Sequence, residues 1–157
     1  MKEANFNTEI VNSIKDAGHW AYKIPDMPRV PGLLRFIPDK PCDIIASVGG
    51  RTVAIESKQF KKWQALGMRH LEDSQIKNLD EIVKDGGKGF IFLNIRIKGD
   101  KELGIKRENK CLIFEWNEFK LLNIVGSIKK LDLLHWAYIE GKLKRFDLSE
   151  FLDECKR

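Results

Sequence analysis

Cysteine is scarce in this chain of 157 residues. Cys42, Cys111 and Cys155 are odd in number, far apart and without a CxxC spacing. That set argues against a disulfide framework and against a zinc site. The three histidines, His19, His70 and His135, are just as scattered. No run of about 20 apolar residues could cross a bilayer, and no signal peptide opens the chain. Repeats and low-complexity tracts are also missing. These absences lead to the expectation of a cytoplasmic protein with reduced thiols, no membrane partner and no organic cofactor.

What is present fits one domain over residues 1–157, long enough to bury a core. Hydrophobic residues make up 43% and charged residues 32%, the balance of an ordinary globular protein. Lysine and arginine number 28 against 23 acids, a formal charge of +5. That excess suits a polyanion such as nucleic acid, through phosphate neutralisation and counterion release. By itself it is weak evidence, because many basic proteins bind nothing anionic.

Periodicity predicts a first helix from about Asn5 to Ala17, with Phe6, Ile10, Ile14 and Ala17 on one stripe and Gly18 as its stop. His19 to Ile24 alternates as a short strand. All five prolines lie between Pro25 and Pro41, which excludes helix or central strand there and predicts a stiff, extended loop. That loop carries Arg29, Arg35 and Lys40 around Leu33, Leu34 and Phe36. Cys42 to Val48 and Arg51 to Lys58 then form a hairpin through Gly49-Gly50. Ser74 to Lys84 reads as a helix capped by Asp73, with Ile76, Leu79, Ile82 and Val83 as its apolar face. Strands follow at Phe90 to Ile97 and Cys111 to Trp116. The remainder, residues 117–157, reads as helical, with a capping-box-like start at Asp147-Leu148-Ser149-Glu150. The order implies an α/β domain, a mixed sheet covered by helices.

The hairpin fixes a geometry. With a two-residue loop, Val48 pairs with Arg51 and paired residue numbers sum to 99, so Asp43 faces Glu56. Opposed residues share a sheet face, their Cα atoms about 4.5–5.5 Å apart. Lys58 returns to that face two residues on. Two facing carboxylates repel each other, and a hard cation such as Mg²⁺ relieves the repulsion, since it binds one or two carboxylates plus water and phosphate. A cation there polarises a phosphodiester and supplies hydroxide, while Lys58 offsets charge on the phosphate or positions the water. The competing reading is a Glu56–Lys58 surface ion pair with Asp43 capping a loop, and a bulge would break the register.

Pro41-Cys42-Asp43 followed by Glu56-Ser57-Lys58 resembles the PD-(D/E)xK nuclease signature, and the surroundings resemble the RecU/Hjc-like Holliday junction resolvases within it. In that group a helix bearing Glu precedes the motif hairpin and a helix bearing Gln follows it. Here those positions correspond to Glu9 and Gln75. The proline-rich segment sits where RecU-type proteins carry a stalk, although it is shorter. The resemblance runs from about Thr8 to Ile97, and it implies a restriction-endonuclease-like fold. It also implies metal held by Asp43, Glu56 and the Ser57 carbonyl, with Mg²⁺ the expected ion and Mn²⁺ a substitute. Glu9 becomes a candidate metal ligand or near neighbour, against the alternative of an exposed helix acid. Gln75 becomes a candidate to orient Lys58 or the water, against that of a polar first-turn residue. Lys61, Lys62 and Arg69 after the motif, with Arg29, Arg35 and Lys40 before it, are the candidate phosphate contacts.

The function expected is cleavage of four-way DNA junctions by paired phosphodiester hydrolysis. Two symmetrical cuts imply a homodimer. The rivals are a restriction-type or repair nuclease acting on linear or flapped duplex, and a non-catalytic DNA-binding module. The last is disfavoured because Asp43, Glu56 and Lys58 are all intact.

Overall fold

A computed structural model describes residues 3–26 and 40–157. Helix α1 (Glu3–Asp16) leads into strand β1 (Trp20–Lys23). Strands β2 (Ile44–Val48) and β3 (Arg51–Phe60) come next, followed by α2 (Asp73–Lys84), β4 (Lys88–Ile97) and β5 (Glu108–Glu115). After α3 (Trp116–Leu122) and α4 (Lys130–Leu134) the chain forms β6 (Ile139–Lys142), β7 (Arg145–Phe146) and α5 (Ser149–Cys155).

The seven strands lie in sequence order in one sheet. Among the described strands only β3 and β4 run parallel, and α2 makes the crossover that a parallel pair requires. The sheet is therefore mixed and flanked by helices, the α/β class expected from the sequence.

Each face of the sheet buries its own core. On one side Phe6, Ile10 and Ile14 of α1 and Phe151 and Leu152 of α5 pack on Ile44, Ala46, Val53, Ile55, Phe90 and Phe92. On the other, Leu79 of α2, Phe119 of α3 and Leu133 of α4 pack on Ala54, Ile91, Leu93, Leu112 and Phe114. Covered on both faces, β3 and β4 lose the alternation of a half-exposed strand and become near-continuous apolar runs.

The β2–β3 hairpin has the expected register, Val48 opposite Arg51 through to Ile44 opposite Ile55. Gly49 (φ 58°) and Gly50 (φ 78°) both adopt the left-handed backbone that a two-residue turn of this kind needs. Beyond Ile44 the ladder shifts, because the Asp43 N–H donates to the Ile55 carbonyl at 3.1 Å.

Two elements differ from the sequence reading. Helix α2 begins one residue early, with Glu72 rather than Asp73 as its cap. The 117–157 stretch, expected to be helical, contains the β6–β7 hairpin. Its turn, Leu143-Lys144, lacks the Gly or Asn that marks a tight hairpin in a sequence, although both residues stand at positive φ (48° and 60°). Most of the Pro25–Pro41 loop, including Arg29, Leu33, Leu34, Arg35 and Phe36, lies outside the described residues.

Candidate active site

Asp43 ends the loop that enters β2, and Glu56 lies in the middle of β3. Glu56 shares its sheet face with Ala54, Lys58 and Phe60, the side covered by α2. The backbone locks Asp43 in place: the Ser57 N–H donates to its Oδ2 at 2.9 Å. Its Oδ1 meets the Lys40 ammonium at 2.7 Å. Glu56, 2% exposed, accepts a hydrogen bond from Gln75 Nε2 at 2.7 Å through its Oε1. Lys58 Nζ lies 3.6 Å from that same oxygen.

Gln75 is itself fixed, since its Oε1 accepts from the Glu72 N–H at 2.9 Å in the first turn of α2. It spans from a helix cap to a buried carboxylate, so its partner is Glu56 and not Lys58. The α2 terminus and the strand thereby hold the Glu56 carboxylate in one orientation.

The electrostatics follow from this packing. Burial pushes the Glu56 carboxyl up to about 8, and the Asp43 charge and a hydrogen bond with Asp43 push the same way, against the Lys58 cation. Burial also opposes the charge on Lys40, but its hydrogen bonds to Asp26 and Asp43 outweigh that cost and raise its pKa. Cys42 is buried beside the pair, and burial pushes its thiol up to about 12, so it offers no thiolate ligand.

A divalent cation fits this donor set. Two carboxylates in hydrogen-bonding contact, one so averse to ionising that it holds a proton near neutrality, are relieved by a +2 charge. Among the described residues no three His, Cys, Asp or Glu side chains converge anywhere. Asp43 and Glu56 would supply the protein carboxylates, with water and phosphate completing a Mg²⁺ shell. The Ser57 backbone, next to both, is the third expected contributor.

Glu9 is not brought to this cluster. It projects from α1 on the opposite side of the sheet and pairs with Arg96 of β4, Oε2 to Nη2 at 2.5 Å and Oε1 to Nη1 at 3.4 Å. Arg96, 7% exposed, also donates from Nε to Asn109 at 3.2 Å. Its signal in the sequence was a cation inside the apolar run Ile95-Arg96-Ile97, on the inward phase of the strand. Lys40, a candidate phosphate contact, bridges Asp26 (2.8 Å) and Asp43. Lys61, Lys62 and Arg69 are exposed just beyond β3. Trp63 packs against the core on the α2 side and donates to Glu108 at 2.7 Å.

No family model matches the chain, and no curated protein does. Among solved structures the chain is similar to Hjc, a Holliday junction resolvase of the archaeal hyperthermophile Archaeoglobus fulgidus, at 14% sequence identity and a TM-score of 0.44. The match covers 83% of this chain and 98% of that one.

Proposed function

We propose that the chain is a Mg²⁺-dependent endodeoxyribonuclease that cuts four-way DNA junctions as a homodimer. The observation that supports this most is the pair of half-buried Asp43 and buried Glu56, fixed by the Ser57 N–H and by Gln75, with the Lys58 ammonium 3.6 Å from Glu56. A structural ion pair would place its carboxylates apart. Here two are held together at low exposure, with the ammonium of Lys40 on Asp43 and that of Lys58 beside Glu56.

In this reading Asp43 and Glu56 hold the metal, which when bound polarises the phosphodiester and lowers the pKa of water. Lys58 holds its ammonium beside the carboxylates, where it offsets charge on the phosphate as the P–O bond breaks. Gln75 keeps Glu56 from rotating away. Lys61, Lys62 and Arg69 lie beyond β3 as exposed cations and suit the phosphates that flank the scissile bond. The preference for junctions rests on the sequence resemblance around the hairpin, and not on the carboxylates.

A labelled synthetic four-way junction tests both parts, beside a flap and a linear duplex of the same sequence, with and without Mg²⁺. The wild type is expected to cut the junction only with the metal, and Asp43→Asn to bind it without cutting, because phosphate contacts supply most of the affinity. Near wild-type turnover by Asp43→Asn would remove the site. Equal cutting of linear duplex would reassign the chain to the restriction-type or repair nucleases.

A further inference from the structure

Two cavities open at the end of the sheet where β3 and β4 finish. One, of about 960 Å³, is lined by Lys61, Lys98 and Lys101 among others. The second, of about 680 Å³, is lined by Lys106, Lys110 and Lys144 among others. Arg96 and Arg107 line both, so the two adjoin and form one cationic surface. It runs from Lys61, three residues past Lys58, to the β6–β7 hairpin. Cations outnumber acids in both linings, five to one in the first and five to three in the second. Two of the three acids in the second are already paired, Glu9 with Arg96 and Glu108 with Lys110.

The hairpin at the far end carries two further anomalies. Leu143 and Lys144 both occupy the left-handed region that L side chains rarely adopt, where Asn-Gly would fit without strain. Leu143 is also 98% exposed, and it stands between Lys142 and Lys144. Strain of this kind persists where function demands the geometry. An apolar residue at a projecting tip between cations has the composition of a wedge that enters a base step while its neighbours hold phosphates.

We propose that the β6–β7 hairpin is a DNA-reading element separate from the candidate active site. The groove takes the backbone of a duplex arm leading away from the scissile phosphate, and Leu143 inserts at the unstacked base step of the branch. Strand β6 lies three steps from β3 across the sheet, about 14 Å at about 4.8 Å per step. That is close to four base rises of about 3.4 Å; the groove lies on the α1 side of the sheet, opposite Glu56, so the bound arm passes round the sheet end at Lys61. The inference rests on the nuclease reading for its ligand, and on the groove and the strained tip for its location.

The test compares Leu143→Ala and the double variant Leu143→Asn/Lys144→Gly, each in an Asp43→Asn background so that binding is read without cleavage. The measurements are affinity for junction and for linear duplex, fluorescence of 2-aminopurine placed beside the branch, melting temperature and sedimentation. The double variant is expected to melt higher, because its turn is relaxed, yet to bind the junction about ten-fold more weakly. Its affinity for linear duplex should change little, and the 2-aminopurine signal should fall in both variants. A turn that is merely structural would give the higher melting temperature with unchanged junction affinity and fluorescence, and that result overturns the proposal. So does loss of dimer in either variant, which would assign the tip to a second copy of the chain. If the wild type binds and cuts junctions while the variants bind them as tightly as Asp43→Asn alone, this inference fails alone. If the wild type neither binds nor cuts DNA, the nuclease reading fails with it.

Discussion

Removing the charge of Glu56 is expected to stabilise the metal-free protein while abolishing its activity. Its carboxyl is raised from 4.5 to about 8, first by burial and then by Asp43. Between those two values the folded protein holds a proton that the unfolded chain has released. For a raised carboxyl, the stability is complete below the unfolded value and declines as pH climbs through the window, about 1.4 kcal/mol per unit. At pH 7 that amounts to about 3 kcal/mol, and sharing the charge with Asp43 reduces the expectation to about 2 kcal/mol. Glu56→Gln removes the titration but keeps an oxygen to accept from Gln75 and gains an N–H to donate to Asp43. For a domain of this size, about 2–4 °C accompanies each kcal/mol. The variant in EDTA should therefore melt about 5 °C above wild type at pH 7, and level with it near pH 4.5. Mg²⁺ should then raise the wild type, by about 2.7 kcal/mol at a hundredfold excess over Kd, and leave the variant unmoved. Thermal melts across pH 4.5 to 9, with and without Mg²⁺, read all of this. A Glu56→Gln protein less stable than wild type at pH 7 to 8 in EDTA would refute the reasoning.

Lys58→Ala should lower the cleavage rate by about a hundredfold or more, the scale of losing one preorganised charge stabiliser. Calorimetric Mg²⁺ affinity should stay largely intact, since an ammonium ligates no metal. Glu9→Ala should cost about 3 kcal/mol in denaturant melts, because it strands the buried Arg96. Its Mg²⁺ titration should match wild type, and a weakened one would restore Glu9 to the metal site. Lys40→Ala should tighten Mg²⁺ binding, because the ammonium occupies Asp43 Oδ1. It should also leave the salt slope of DNA binding unchanged, whereas Lys61→Ala should reduce that slope by about 1.

The sheet-forming part of the chain was legible because its signals are local. A Gly-Gly turn set the hairpin register as far as Ile44 and Ile55, which brought Asp43 near Glu56, although the ladder shifts at Asp43 itself and the two are not a ladder pair. The partner of Gln75 was not legible, since a helix cap and a strand residue 19 positions apart meet only through packing. Glu9 misled for a related reason. A helix stripe shows which residues face the sheet, but not which side of the sheet the helix covers. α1 lies on the side away from Glu56, where Arg96 waits on the inward phase of β4. The β6–β7 hairpin escaped notice because its turn breaks the residue rule by which hairpins are recognised.

Three carboxylates near the sheet end meet their need for charge compensation in three different ways. Asp43 has a lysine, Lys40, and a backbone N–H. Glu9 has a two-point arginine, 6% exposed at its side chain, and needs nothing further. Glu56 has a glutamine N–H, a lysine at 3.6 Å and a second carboxyl, Asp43, in hydrogen-bonding contact, and burial leaves it holding a proton at neutral pH. A carboxylate that the fold does not neutralise is the one at which an external cation gains most. This marks Glu56, and Asp43 through its contact with Glu56, as the place where metal binding and stability are coupled. It equally removes Glu9, whose compensation is complete within the fold.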